Sequence, residues 1–322
     1  MTPASMNKPI QVCVTGGAGF IGSNLVDHLV RRGCSVTVLD NLSTGSRANL
    51  AASAGHVRFV EGDLRDRAAV AGAVAGCDAV YHLGALAAVA RSVENPVEVT
   101  DVNVGGTLNV LVAARDAGVR RVVFASSSSV YGDTPTLPKV ESMPMNPRSP
   151  YAASKAAGEA YLSAWHATYG LETVSLRYFN VYGPRQSPRS LYAAVVPRFL
   201  AAVAAGQPPV IYGDGEQTRD FTWVGDLVDA CERAATAPTA VGVGPINIGG
   251  GERVSILALA ELAAKSFRWS GRPRHEAARV GDVRHSLADI KLAAQALGWK
   301  PTTPLRDGVA ALARALAVPS PS

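Results

Sequence analysis

The stretch Ile10-Gln-Val-Cys-Val-Thr15-Gly16-Gly17-Ala18-Gly19-Phe20-Ile21-Gly22 decides the fold. Residues 10–15 are largely apolar or β-branched, which reads as a strand buried on both faces. Beyond the glycines, Leu25, Val26, Leu29 and Val30 recur at helical spacing. Gly16 permits the tight turn, Gly19 lets backbone approach a pyrophosphate, and Gly22 allows close helix–strand contact. The amides of Phe20 and Ile21 then face an anion at the helix start. A second strand, residues 35–39, ends at Asp40, about 20 residues on, where the dinucleotide fingerprint places an acid. A carboxylate there accepts hydrogen bonds from a ribose and repels a 2′-phosphate, so the expected cofactor is NAD and not NADP.

The alternation continues outward. Residues 57–60 read as a strand leading to Asp63, placed to meet an adenine edge, and Leu64. Residues 68–75 read as a helix, 79–83 as a strand opening into Gly84-Ala85-Leu86, 100–116 as one long helix and 119–126 as a further strand. Such a rhythm implies an α/β fold with a Rossmann-type, doubly wound parallel sheet whose ligand crevice lies at the strands' carboxyl ends. Asn41, Leu64, Leu83 and Ala85 stand at those ends and join the glycine turn, Asp40 and Asp63 as expected cofactor contacts.

Ser126-Ser127-Ser128-Ser129-Val130-Tyr131-Gly132 follows the last of these strands and offers hydroxyls to a reacting oxygen. Ser149-Pro150-Tyr151-Ala-Ala-Ser-Lys155 comes next. Its serine caps and its proline opens a helix, which puts Tyr151 and Lys155 one turn apart on one face. A phenol ordinarily loses its proton near pH ~10. An ammonium beside it favours the phenolate and moves it towards the working range, so Tyr151 reads as an acid/base and Lys155 as its partner.

A chain of 322 residues with 48% apolar and 18% charged residues is globular, with a sizeable core. The net charge of +5, from 31 basic and 26 acidic residues, is spread in small pairs such as Arg31-Arg32 and Arg120-Arg121. An anionic small molecule is therefore the expected partner, and not nucleic acid. Cys13, Cys34, Cys77 and Cys231 have no metal-ligand spacing, and neither do the histidines; no metal is expected, and the thiols read as reduced. The N-terminus lacks a signal-peptide core, and the alanine-rich segment 192–205 is broken by Pro197-Arg198, so a cytoplasmic protein without membrane contact is expected.

With these residues in view the chain resembles the extended short-chain dehydrogenase/reductase family, and within it the nucleotide-sugar epimerases. The match spans nearly the whole chain: Thr15-Gly-Gly-Ala-Gly-Phe-Ile-Gly22, the serine-rich element 126–132, Tyr151-x-x-x-Lys155, Arg177-Tyr-Phe-Asn180, Arg219-Asp-Phe221 and Arg279-x-Gly-Asp282. The resemblance implies that Tyr151 is the acid/base, that Lys155 tunes it and holds the nicotinamide ribose, and that Ser127, with Ser128 assisting, bonds the sugar hydroxyl. It also implies a homodimer through segments near 100–116 and 151–168. Dehydratases and decarboxylases of the family carry acidic residues after the Ser/Thr. Here Ser128 and Ser129 stand in those places, which favours simple oxidation and reduction at one carbon, hence epimerisation.

Prolines at 184, 188, 197, 208 and 209 break the βα rhythm, so a smaller mixed α/β substrate lobe is expected over 179–322, after an NAD-binding domain over 1–178 to which segments near 220–250 return. Arg219 and Arg279 would fork onto a nucleoside diphosphate, with Asn180 adding an amide. The resemblance further implies Asp282 at a ribose and Val195 and Tyr212 at uracil. It gives Ser286, two before Ala288-Asp289, the place that limits the sugar's C2 substituent; a small residue there favours UDP-GlcNAc/UDP-GalNAc, with UDP-Glc/UDP-Gal also accepted. A uronate 4-epimerase using Arg185 or Arg189, a dehydratase or decarboxylase, a small-alcohol dehydrogenase and a non-enzymatic NAD sensor stand as alternatives.

Overall fold

The computed structural model describes residues 9–188, 194–278 and 283–317. In the first half the chain runs β1 (Gln11–Thr15), α1 (Phe20–Arg31), β2 (Ser35–Asp40), β3 (Val57–Glu61), α2 (Arg67–Val74), β4 (Ala79–His82), α3 (Val89–Glu94), α4 (Pro96–Thr100), α5 (Gly106–Asp116), β5 (Arg121–Ser127), α6 (Pro150–Tyr169) and β6 (Glu172–Tyr178). In the second half it runs β7 (Val181–Tyr182), α7 (Val195–Ala204), β8 (Val210–Tyr212), β9 (Thr218–Arg219), β10 (Thr222–Trp223), α8 (Val224–Thr236), β11 (Ile246–Ile248), β12 (Val254–Ser255), α9 (Ile256–Ser266), β13 (Arg274–Glu276), α10 (Lys291–Leu297) and α11 (Leu305–Ala317).

Seven strands form one parallel sheet in the order β11-β6-β5-β4-β1-β2-β3. Both faces are covered, which is why β1 and β4 read as continuous apolar runs. One face packs on α1, α8 and α10 through Leu25, Leu29, Leu227 and Trp299, and the other on α2, α5 and α6 through Val70, Leu111 and Leu162. A separate cluster around Phe199, Leu200, Ile211 and Leu259 joins α7, α9 and α11. Strand β11, expected to return to the sheet, pairs with β6.

Two helices differ from expectation. The long helix over 100–116 is interrupted by a π turn at Asp101–Gly105. There the side chain of Asn103 is drawn inward, accepting from Leu86 N (2.8 Å) and donating to Leu86 O (3.2 Å) and Ser154 Oγ (3.0 Å). Bonds of that kind compete with a regular helical ladder. Conversely, Pro197 and Arg198 do not break the alanine-rich segment: α7 runs through them. Pro197 sits in the first turn, where a missing N–H costs no intrahelical bond. No helix among the described residues is long and apolar enough to cross a membrane.

Candidate active site

A groove of about 830 Å³ opens at the carboxyl ends of β1, β2, β4, β5 and β6. Its wall includes every residue expected at the cofactor: Gly16, Gly19, Phe20, Ile21, Gly22, Asp40, Asn41, Asp63, Leu64, Leu83, Ala85, Tyr151 and Lys155. The turn is built for close backbone approach. Gly16 has φ +70°, and a Cβ on it would lie 2.7 Å from Gly84 Cα; one on Gly22 would lie 2.1 Å from the Gly16 carbonyl oxygen. Behind it the Asp40 carboxylate accepts from Ala18 N (2.9 Å) and Leu42 N (2.8 Å), which fixes it at the groove's edge with lone pairs left for hydroxyl donors. A dinucleotide fits these residues: amides at a helix start for phosphate, a fixed carboxylate for ribose.

Asp63 is more heavily engaged than its sequence position suggests. It accepts from Arg65 Nε, Nη2 and N, each at 2.9 Å, and from Asn41 Nδ2 at 2.8 Å. The Arg65 side chain, first among these partners, holds its carboxyl well below the usual carboxylate range. An adenine amine at this edge would share a carboxylate that already has four donors.

At the other end of the groove, Ser149 caps α6 through Ala152 N (3.1 Å), and Pro150 occupies the first turn. This starts the helix so that Tyr151 and Lys155 reach the groove. Lys155 is buried, its ammonium 4.8 Å from the Phe124 ring centroid and 6.0 Å from that of Tyr151. Burial pushes it down to about 8. The lowering of Tyr151 expected from its neighbouring ammonium is not found in the polypeptide alone: burial pushes its phenol up, and the side-chain hydrogen bond with Ser127 acts against that. Ser127 is held in turn by Ser129, whose N (3.2 Å) and Oγ (2.9 Å) donate to its Oγ. Ser128 lies in the 3-10 turn Ser128–Tyr131 and lines neither cavity. His82, read as structural, is buried and bridges Thr15 Oγ1 (2.8 Å) and Thr107 Oγ1 (2.9 Å); burial and then Lys155 push it down to about 3, so it is neutral.

A second cavity of about 240 Å³ adjoins the groove at Ala194 and is lined by Asn180, Val195, Tyr212 and Arg219, four of the expected substrate contacts. Asn180 is not a free amide: its Nδ2 donates to Asp220 O (2.9 Å) and Ser286 Oγ (3.2 Å). Ser286 is buried, and its hydroxyl also accepts from Asp220 N (3.3 Å), so it ties these segments together and lines neither cavity. Arg185 lines the groove, and its Nη1 donates to Asp27 Oδ2 (2.7 Å) and Asn49 O (2.8 Å). Arg279, Asp282 and Arg189 lie outside the described residues. No cluster of three metal-ligating side chains occurs among the described residues.

Sequence reasoning missed Arg198 and Gln217 in the smaller cavity and Tyr178 in the groove; Ser126, one of the four serines expected to offer a hydroxyl, lines the groove. Arg198 donates to Val210 O (3.2 Å) and lies 5.4 Å over the Tyr212 ring, while Gln217 Nε2 donates to Tyr212 O (2.7 Å). The apparent break at Pro197 concealed the first. Tyr178 stands at the end of β6, a position the parallel-sheet rule marks for ligands.

The profile of the NAD dependent epimerase/dehydratase family matches residues 12–249. The chain is 42% identical over 306 residues to a UDP-glucose 4-epimerase of Mycolicibacterium smegmatis, covering 94% of this chain and 96% of the relative. It is 40% identical over 300 residues to a putative UDP-glucose 4-epimerase of Methanocaldococcus jannaschii, covering 92% and 95%. Among solved structures it superposes with TM-score 0.91 and 39% identity on UDP-N-acetylglucosamine 4-epimerase from Methanobrevibacter ruminantium M1 in complex with UDP-N-acetylmuramic acid, covering 95% of this chain and 98% of that one.

Proposed function

The chain belongs to the NAD dependent epimerase/dehydratase family, and we propose that within it the protein is an isomerase inverting C4 of a UDP-hexose. UDP-GlcNAc/UDP-GalNAc are the preferred pair and UDP-Glc/UDP-Gal are also turned over. The observation that carries the reading is that Tyr151 and Lys155, one turn apart on α6, both line the groove, with Ser127 at the end of the adjoining strand β5 followed by Ser128 and Ser129. The hydroxyls suit alcohol–ketone interconversion, and neither following serine offers the carboxylate that eliminating water or CO2 would call for. The names of the related 4-epimerases support the same choice.

Bound NAD supplies a reversible hydride acceptor. Tyr151 takes the proton of the C4 hydroxyl as the C4–H bond is lost, and Lys155 stabilises the phenolate. Ser127 donates to the sugar oxygen, where charge gathers. Arg219 and Arg279 hold the diphosphate, Asp282 a ribose, and Val195 and Tyr212 the uracil. The sugar, anchored only at its nucleotide, turns over. Tyr151 then returns the proton to the C4 oxygen as the C4–H bond re-forms on the opposite face of the carbon. Residues 1–178, with segments near 220–250, act as the cofactor lobe and the remainder as the sugar-nucleotide lobe. Ser286, small and buried outside both cavities, puts no bulk in the way of an N-acetyl group. The working form is a cytoplasmic homodimer through the segments near 100–116 and 151–168, where Tyr161 is exposed.

Incubating the enzyme without added NAD on a panel of UDP-sugars, with chromatography of both epimers, tests this. Interconversion of UDP-GlcNAc and UDP-GalNAc is the expected result. Activity confined to UDP-glucuronate, or a lasting 4-keto product, contradicts it.

A further inference from the structure

At the floor of the groove Ser126 begins a buried polar chain with Glu159 and Arg177, residues 2%, 7% and 3% exposed. Glu159 Oε1 accepts from Ser126 Oγ (2.5 Å) and Arg177 Nε (2.9 Å), and its Oε2 accepts from Arg177 Nη2 (2.7 Å). Arg177 is further placed 4.6 Å over the Tyr131 ring. A buried ion pair of this kind contributes little net stability over apolar residues of the same volume, and its best-attested use is to fix register.

The register it fixes is the one the chemistry needs. Glu159 lies on α6 one turn beyond Lys155 and two beyond Tyr151, on the same face. Its partners are opposed across β5 and β6, Ser126 with Arg177, next to the pair Ser127 with Tyr178. One carboxylate thus joins the helix that carries Tyr151 and Lys155 to the strand end that carries Ser127. We propose that Glu159, acting through Ser126, is a positioning residue that sets the separation of the Tyr151 and Ser127 hydroxyls. This rests on the reading of those two as the groups at the sugar oxygen.

The test is a cycle of Ser126→Ala, Ser127→Ala and the double variant, with kcat, KM, retained NAD and melting temperature measured for each. Ser126→Ala leaves the Glu159–Arg177 pair intact, so the fold and the bound NAD are kept. The expected result is a roughly tenfold lower kcat with KM within about twofold. In the Ser127→Ala background the same change is expected to cost less than about twofold, because there is no hydroxyl left to position. Glu159→Gln is expected to lower kcat alike and to be equally silent beside Ser127→Ala; if that variant does not fold, the serine cycle decides. Losses that multiply in the double variant, or a wild-type kcat for Ser126→Ala beside an impaired Ser127→Ala, overturn the inference alone. A wild-type rate for Ser127→Ala overturns the underlying reading and the inference with it.

Discussion

The ammonium of Lys155 stands 6.0 Å from the centre of the Tyr151 ring, one turn further along α6 and buried against Phe124. A cation is kept in an apolar place, and its proton affinity falls to about 8. The unfolded chain then binds more proton at this site between about pH 8 and its ordinary value near ~10.4. Stability therefore rises with pH across that window, and the full cost of the buried charge is carried below it. Lys155→Met should raise the unfolding free energy at neutral pH by roughly 2–3 kcal/mol while cutting turnover. The gain should shrink by about pH 10, as urea denaturation of both proteins at the two pH values will show.

Tyr151→Phe removes the oxygen proposed to exchange a proton with the sugar and leaves the ring in the groove wall. Turnover should fall by about 10²–10⁴-fold, the range for loss of a general acid/base. Absorbance of the released nucleotide after denaturation should show NAD retained as in wild type.

Asp40 stands at the edge of the groove with two backbone amides holding it, where we propose it meets the ribose. Asp40→Ser shortens the side chain and removes the repulsion of a 2′-phosphate. NAD affinity should drop by about tenfold, from one lost charge-assisted bond, and the preference over NADP should narrow, as titration of each nucleotide will measure.

Asp220 is a fully buried carboxylate that accepts from Gly250 N (2.6 Å), Ala288 N (2.9 Å) and Gly251 N (3.3 Å). Burial outweighs those bonds and raises it to about 6. Asp220→Asn would set an amide NH2 against backbone donors. It should destabilise the fold by about 1–3 kcal/mol and weaken UDP binding through Asn180 and Ser286, which share the cluster. Thermal unfolding and UDP titration report the two effects.

The cofactor half was legible because local chemistry and global position agree there. A strand, three glycines, a helix and an acid specify the groove within about 30 residues, and each expected cofactor contact lines it. The substrate half was less so. Arg198 looked like part of a helix break, yet Pro197 lies where a helix tolerates it. Asn180 and Ser286 carry the right chemistry for ligands, but their polar atoms are spent on each other and on Asp220. The π turn at Asn103 and the Ser126–Glu159–Arg177 chain depend on partners 51 and 33 residues away, beyond the reach of periodicity.

The central claim is that carbon four of the sugar loses and regains one and the same hydride. Enzyme without added cofactor, given UDP-GlcNAc deuterated at C4, measures this directly by mass spectrometry of the separated epimers. The account predicts UDP-GalNAc with its deuterium retained at C4. Deuterium lost to water, or a product lighter by one water molecule, contradicts it.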